Sequence, residues 1–281
     1  MTLGVFLAVL GAAFLHAMWN AVVKASGDKA LSMTAMIIGH TPLALLSIVI
    51  APMPDPAAWP LIAVGAALHV GYQLFLQASY RIGDLSQVYP LARGLAPLIV
   101  AAVSVLALGV ALSPSELIAV ALIACGILSL ALARPASGGT DRRAAAYALI
   151  TGVFIAAYSL VDGIGARSAG TALGFYGWLS VLNGIAFTAI MRVRRPTLWK
   201  DLDRRTLGFG LIGGSASYIA FAIVLWAMTK APIALVTALR ETSIIVALFI
   251  GVFVLKERLS LRKLLSTFLT ISGAVVLRLA R

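Results

Sequence analysis

Four charged residues lie inside long apolar segments of the chain: Arg93, Asp162, Arg240 and Glu241. A charge at the centre of a bilayer costs about 2.5–3.5 kcal/mol, so such side chains usually face the interior of a helix bundle. An arginine there can hold the carboxylate of a bound molecule. Equally, the arginines and Glu241 can form an ion pair that only locks two parts of the protein together. The sequence leaves both interpretations open.

The two acidic residues have different predicted environments. Arg240 and Glu241 are consecutive, about 100° apart around a helix, so we expect them not to share a face. Glu241 is instead expected to reach Arg93 on another helix. Asp162 is expected near the end of its helix, where water reaches it. It is then either a solvated or hydrogen-bonded carboxylate, or a site for proton coupling or for a substrate amine.

Histidine, glutamine and tyrosine side chains form a stripe on the third apolar segment. His69, Tyr72, Gln73, Gln77 and Tyr80 follow one another at helical spacing, and a polar stripe is costly against lipid. We therefore expect it to face a cavity or a neighbouring helix. Over the whole chain, the side chains predicted to line a binding cavity beside the arginines are Trp19, His40, Tyr72, Tyr80, Tyr158 and Tyr218.

No metal site and no cofactor are expected. His16, His40 and His69 lie on three different segments, and no two of them are four residues apart. Cys125 is the only cysteine, so thiolate metal sites and intrachain disulfides are excluded. The histidines are better explained as hydrogen-bonded residues of the core or of a cavity.

Ten apolar segments must position these residues. Of the 281 residues, 61% are hydrophobic and 11% charged, whereas soluble proteins carry about a quarter charged residues; the mean hydropathy is +1.02. A bilayer core of about 30 Å needs about 20 helical residues per crossing. We therefore predict an all-α integral membrane protein with ten transmembrane helices, at 3–24, 31–51, 58–80, 86–109, 115–133, 144–165, 171–191, 206–228, 233–255 and 261–279.

The second half of the chain resembles the first at a constant offset of 147 residues. This offset places Arg93 on Arg240, Gly126 on Gly273, and Leu112-Ser113 on Leu259-Ser260. Five helices per copy return the chain to the opposite side of the bilayer, so the two copies must be inverted around a central cavity. The predicted units are a first repeat at 1–134, a linker at 135–143 and a second repeat at 144–281.

Basic residues are concentrated in alternate loops. The net charge is +12, but the loops after odd-numbered segments hold most of the arginines and lysines, with the largest cluster at 192–205. The positive-inside rule explains this distribution without nucleic-acid binding. It predicts cytoplasmic odd-numbered loops and both termini outside, in a bacterial cytoplasmic (inner) membrane.

This layout resembles the drug/metabolite transporter superfamily, specifically its EamA-type ten-helix exporters. The resemblance rests on the duplicated five-helix unit, Trp19-Asn20 with Lys24, the Pro97 region, and Val254-Leu-Lys-Glu257. It implies a cavity formed by helices 1, 3, 4, 6, 8 and 9, with helices 5 and 10 peripheral. Through its tyrosines and Trp19 the chain is also similar to aromatic amino-acid and metabolite exporters.

The predicted function is a secondary transporter that exports small metabolites, foremost aromatic and hydrophobic amino acids, by alternating access. Arg93 or Arg240 would hold a carboxylate, and Asp162 or Glu241 would couple protons or form ion pairs. The partners expected are a small-molecule substrate and the bilayer, with the carrier a monomer or a homodimer. Exporters of other metabolites or drugs are the alternative within this class. A passive channel or an intramembrane enzyme is the alternative outside it, although no Asp-rich motif or Ser–His pair supports an enzyme.

Overall fold

The computed structural model describes residues 1–25, 28–82, 85–131, 142–250 and 260–280, with the side chains of 20–25, 85–87, 89 and 131 excepted. Within these ranges the chain is all-helical. Its α-helices are α1 (Leu3–Ala25), α2 (Lys29–Ile50), α3 (Trp59–Ile82), α4 (Leu85–Leu106), α5 (Pro114–Ala131), α6 (Arg142–Ser168), α7 (Ala172–Arg194), α8 (Arg204–Met228), α9 (Ile233–Arg240), α10 (Ser243–Phe249) and α11 (Leu261–Leu279).

These helices form ten spans, as predicted, because α9 and α10 are two segments of the ninth. In the described residues, five helical segments are long and apolar enough to cross a membrane by themselves: Lys29–Ile50, Pro56–Ile82, Arg142–Ser168, Ala172–Arg194 and Arg204–Met228. Large apolar side chains such as Val49 (81% exposed) and Leu106 (86% exposed) point outward. Such exposure is favourable against lipid and costly in water, so the outer surface fits a membrane protein.

Helix starts follow ordinary capping chemistry. The Asp28 carboxylate accepts hydrogen bonds from the backbone N–H groups of Ala30 and Leu31, each at 3.0 Å, and so begins α2. Thr171 caps α7 through Gly174 N–H, and Asp203 caps α8 through Thr206 N–H. These side chains satisfy backbone donors that have no partner inside the helix.

Helix packing is symmetric under exchange of the two halves. α1 packs against α8 as α6 packs against α3, and α5 packs against α11, its own counterpart. The predicted peripheral position of the fifth and tenth spans agrees with this pairing. The linker predicted at 135–143 falls mostly on 132–141, outside the described residues.

Matching contacts at the two ends of the bundle show the same symmetry. In each half a proline-initiated 3₁₀ turn lies between the second and third spans, at Pro56–Ala58 and at Pro196–Lys200. The residue before the first turn, Asp55, donates its N–H to Ala169 O at 3.2 Å. The residue before the second, Arg195, binds Asp28 through its guanidinium. Because five spans separate the turns, these equivalent contacts are expected on opposite faces of the membrane.

Glycines bring α2 and α8 into backbone contact. A Cβ atom at Gly210 would lie 2.5 Å from Ala35 O, and one at Gly214 would lie 2.5 Å from Met36 O. Small residues at such positions allow membrane helices to approach closely where no hydrophobic effect drives them together. The contact joins the first half to the second and fixes the frame around the central side chains.

Candidate functional site

A buried ion cluster joins the two halves at the centre of the bundle. The Arg93 Nε of α4 donates to Glu241 Oε2 at 2.6 Å, and only 5% and 2% of the two side chains is exposed. The contact expected between these residues is therefore present. Arg240 is also buried, and its Nε lies 3.5 Å from Glu241 Oε1. One carboxylate thus lies between two guanidinium groups.

The ninth span is broken next to this ion cluster. α9 ends at Arg240 and α10 begins at Ser243. Between them the N–H groups of Glu241 and Thr242 bond to the carbonyls three residues back, Ala238 O and Leu239 O, both at 3.0 Å. The prediction of one continuous ninth helix is therefore wrong. Successive residues are about 120° apart in 3₁₀ geometry, so the weak 3.5 Å contact between Arg240 and Glu241 depends on the length of both side chains.

A histidine also contacts Arg93. The Arg93 Nη1 atom lies 2.8 Å from His16 Nε2 of α1. A guanidinium can only donate, so His16 Nε2 must accept, and its ring is neutral with the proton on Nδ1. Trp19, one turn later on α1, packs edge-on against His16 with ring centroids 5.0 Å apart. Trp19 Nε1 is buried and has no hydrogen-bond partner among the described residues.

Asp162 lies deep in the protein rather than near water. It is fully buried, and its Oδ2 atom is 2.7 Å from His69 Nε2 of α3. The expectation of a water-accessible position near a helix end is wrong, because α6 continues to Ser168 and packs against α3. Gly65 makes room for the carboxylate, since a Cβ atom there would lie 2.5 Å from Asp162 Oδ1. Asp162 Oδ1 itself has no hydrogen-bond partner in the described part of the chain.

An aromatic cluster lies between the His69–Asp162 pair and the ion cluster. The His69 ring stacks on Tyr158 with centroids 4.2 Å apart and meets the edge of Phe221 at 5.4 Å. The Arg240 guanidinium carbon lies 5.9 Å from the centroid of the same Phe221 ring. Phe221 is therefore close to both a base and a cation.

Tyrosines extend this cluster across the bundle. Tyr176 of α7 stacks on Tyr218 with centroids 4.6 Å apart and lies 5.1 Å from Phe221. The Tyr218 hydroxyl donates to Ser47 Oγ of α2 at 2.8 Å. Tyr176 was not among the predicted cavity residues, because a tyrosine near the start of a span resembles an interface anchor. Only the packing of α7 against its neighbours places it here.

The structure places the remaining predicted residues at the margin of the cluster or beyond it. Tyr72 contacts Tyr158 at 5.6 Å between centroids. His40 meets Tyr218 edge-on at 5.9 Å, and its buried Nε2 has no hydrogen-bond partner in the described residues. Tyr80 is half-buried on α3, eight residues after Tyr72. Trp19 adjoins the ion cluster through His16.

A cavity of about 520 Å³ lies between the end of α4, the end of α6 and the start of α9. Ser104, Ile164 and Ile233 are among its lining residues, as is Arg167. Arg167 donates to the carbonyls of Met228 and Ala231, both at 2.8 Å, and so ties α6 to the connection that follows α8. The same three spans also carry Arg93, Asp162 and Arg240.

Metal binding finds no support in the described ranges, where no three histidine, cysteine, aspartate or glutamate side chains cluster as ligands. The charged groups instead pair with one another. Buried groups of both charges and aromatic rings in one place suit an ion or a zwitterion.

Comparison with known proteins supports a class of protein. Residues 142–279 match the EamA-like transporter family, whose members are membrane transporters of small molecules and not enzymes. The match supports the drug/metabolite transporter superfamily and, with the apolar helices, an integral multi-pass membrane protein.

The fold itself is shared over the full length. A solved crystal structure, described only as that of a protein, superposes with a TM-score of 0.74 at 17% identity, over 100% of this chain and 99% of the other. At this identity the likeness shows the fold alone. The comparison with curated proteins gives no match.

Proposed function

We propose that this protein is an exporter of aromatic and hydrophobic amino acids that works by alternating access of its two inverted halves. One observation carries the proposal: the Phe221 ring is close to both the Arg240 guanidinium, at 5.9 Å, and the His69 ring, at 5.4 Å. An amino acid offers a carboxylate, an ammonium group and an apolar side chain. A cation, a base and an aromatic surface in one place complement all three.

Arg240 is the better candidate for the carboxylate. Arg93 is held at short distance by Glu241 and His16, whereas Arg240 lies 3.5 Å from Glu241. At that distance the interaction is weak, and Arg240 Nε has no aligned hydrogen bond in the described residues. Arg240 can therefore turn to a ligand while Arg93 keeps Glu241 neutralised.

His69 is the candidate acceptor for the ammonium group. It is close to the same Phe221 ring as Arg240, at 5.4 Å against 5.9 Å, so a ligand held by Arg240 would direct its ammonium group towards His69. The aromatic side chain of the substrate would then pack among Tyr158, Tyr176 and Phe221. Aromatic pairs contribute about 0.5–1.5 kcal/mol beyond area burial, which favours phenylalanine and tryptophan over alanine.

Alternating access is supported by the equivalent contacts at the two ends of the bundle. Asp55 with Ala169 and Arg195 with Asp28 tie the halves at opposite faces, and a carrier needs gates on both. All of the described site lies within one chain, so transport by this scheme requires no second copy, and a homodimer would contain two such sites.

Counterflow in proteoliposomes tests the proposal. Vesicles loaded with unlabelled tryptophan should accumulate labelled tryptophan, and phenylalanine should compete for this uptake. Phenylethylamine, which lacks the carboxylate, and phenylpropionate, which lacks the ammonium group, should compete at least tenfold less well. Arg240→Gln should abolish the discrimination against phenylethylamine. Arg278→Gln, an exposed arginine of α11, serves as the control and should behave as the parent chain.

Different results identify the rival functions. Flux that does not saturate and shows no trans-acceleration would indicate a passive channel. Saturable counterflow of other metabolites, without competition from any aromatic or aliphatic amino acid, would refute the substrate class and leave a carrier for other compounds.

Orientation has its own test. Lys200→Cys in a Cys125→Ser background places one thiol in the basic loop. A membrane-impermeant maleimide should label it only after the cytoplasmic face of the membrane has been opened. Labelling of intact cells from outside would invert the proposed topology and place both termini in the cytoplasm.

A further inference from the structure

We propose that the His69–Asp162 pair is the coupling site at which a proton and the ammonium group of the substrate compete, so that one proton enters for each amino acid exported. The inference rests on the proposed function, since it presumes an amine-bearing substrate. It adds the energy source and assigns each half of the pair a task.

The geometry fixes the hydrogen-bonding state of the pair. Asp162 Oδ2 lies 2.7 Å from His69 Nε2, and a carboxylate can only accept, so Nε2 carries a proton. In the neutral ring, the other nitrogen, Nδ1, is then an acceptor. An ammonium group can donate to it. Once Nδ1 takes a proton from water, the imidazolium can only donate, and it repels the ammonium group.

Burial makes the bound proton and the bound ammonium group mutually exclusive. Asp162 is fully buried, and 12% of the His69 side chain is exposed. A buried carboxylate is costly unless a positive or hydrogen-bonding group compensates it. Either a protonated His69 or a neutral His69 carrying a bound ammonium supplies that compensation, but both at once would place two cations beside one carboxylate. The two ligands therefore exclude each other.

Ring contacts hold His69 in place for this exchange. Tyr158 covers one face at 4.2 Å and Phe221 meets the ring edge-on at 5.4 Å, so rotation of the ring is restricted. Asp162 acts as a positioning residue, because it fixes the tautomer and stabilises the imidazolium.

Other titratable and charged groups surround the pair on every packed element. Each of these groups interacts electrostatically with His69, with Asp162 or with the adjacent Tyr158. They are His40 of α2, Arg93 of α4, Tyr176 of α7, Arg240 of α9 and Glu241 at the end of α9. Arg93 and Glu241 neutralise each other through their 2.6 Å contact. Arg240, the proposed carboxylate ligand, is neutralised when the substrate binds. His40 is the other histidine that interacts electrostatically with His69, so its replacement shows whether proton release belongs to His69.

The transport cycle follows directly. Facing outside, His69 takes a proton from water and the amino acid leaves. Facing the cytoplasm, an incoming ammonium group displaces that proton to water. A zwitterion carries no net charge, so each cycle moves one positive charge inward. At equilibrium each pH unit across the membrane sustains about a tenfold amino-acid gradient.

Proton release on substrate binding tests the exchange without transport. Purified protein in weak buffer is mixed with tryptophan at a series of pH values, and the pH is followed with a dye. The parent chain should release protons as tryptophan binds. His69→Gln, whose amide can still donate to Asp162, should release none, whereas His40→Gln should release about as much as the parent. Binding to the parent should weaken towards tenfold per pH unit as the medium becomes acid, and binding to His69→Gln should not depend on pH in that range.

Transport assays separate the inference from the proposed function. Counterflow requires no net proton movement, whereas accumulation driven by a pH gradient does. The parent chain and the exposed control Arg278→Gln should show both, and His69→Gln should not respond to the pH gradient. Parent protein that shows counterflow but neither proton release nor a response to a pH gradient overturns the coupling site alone. Parent protein without counterflow for any amino acid refutes the proposed function itself. Equal loss of proton release in His40→Gln would also overturn the assignment to His69.

Discussion

Replacement of Glu241 by glutamine should destabilise the protein more than any other single change in the ion cluster. The carboxylate neutralises two buried guanidinium groups, at 2.6 Å from Arg93 and 3.5 Å from Arg240. Glutamine keeps the shape but leaves both cations without a counterion. Removing one partner of a buried ion pair costs about 3–5 kcal/mol, and the second arginine places Glu241→Gln towards the upper end of this range.

The geometry also predicts an order among the variants. Arg93→Gln removes the short contact but leaves Glu241 beside Arg240, so its cost should be smaller than that of Glu241→Gln. Arg240→Gln removes the weak 3.5 Å contact and the approach to Phe221, and should cost about 1 kcal/mol, less than either of the other two variants. The double variant Arg93→Gln/Glu241→Gln should be more stable than the sum of the single effects predicts, by about 0.5–3 kcal/mol.

Reversible unfolding in mixed detergent micelles, followed by tryptophan fluorescence, measures these differences. Glu116→Gln is the control, since Glu116 caps the start of α5 outside the cluster by accepting from Ser113. The reasoning is refuted if Glu241→Gln unfolds at the same detergent composition as the parent chain. It is also refuted if the single effects of Arg93→Gln and Glu241→Gln add without any coupling.

Three further changes probe the frame around the site. Arg195→Gln should lower stability by at most about 1 kcal/mol at low salt, because its partner Asp28 is 34% exposed and the pair is screened. The hydrogen bond from Arg195 lowers the pKa of Asp28, so the pair stabilises the fold above the unfolded-state pKa of about 4, and this stabilisation is lost as the pH falls through the folded-state pKa. Unfolding midpoints measured against pH and salt should show the difference between variant and parent. Gly210→Ala should destabilise the protein by about 1–3 kcal/mol, because its Cβ atom would meet a backbone oxygen at 2.5 Å. Gly208→Ala on the same helix, where nothing lies within 4 Å of the added atom, should be neutral or stabilising. Equal thermal midpoints for the two variants would contradict the close approach of the helices. Tyr218→Phe should lose about 0.5–1.5 kcal/mol with its 2.8 Å hydrogen bond and keep the stacked ring, and a loss above 3 kcal/mol on unfolding would show that the hydroxyl does more.

Equivalent positions of the two halves have diverged where the chemistry is concentrated. Arg93 and Arg240 correspond at the repeat offset, but Glu241 faces Gly94 at the equivalent place. Gly94 lies against Leu128, so the first half packs apolar side chains where the second places a carboxylate. Glu241 therefore belongs to the second half and binds Arg93 of the first half. The helices are arranged symmetrically, but the charged site between them is asymmetric.

The sequence predicted where the spans lie, but the ends of the sixth span and the continuity of the ninth span were predicted wrongly. The predicted sixth span, 144–165, is the longer helix Arg142–Ser168, and this extension is what buries Asp162. The ninth, predicted as continuous, breaks after Arg240. Hydropathy responds to the number of apolar residues in a window and contains no term for a local change of hydrogen-bonding pattern, so neither error was visible in composition.

The sequence by itself determined the all-helical membrane fold, the spans and the identity of the buried charges, because bilayer thickness and desolvation act on each segment separately. Only the tertiary structure decided which groups meet. Asp162 pairs with His69 across 93 residues and Glu241 with Arg93 across 148, and Phe221 joins the two pairs. These contacts depend on how far each helix is rotated and shifted against its neighbours. Ridges, glycine contacts and the 3₁₀ turn set those rotations jointly, so they are properties of the packed bundle and not of any one segment.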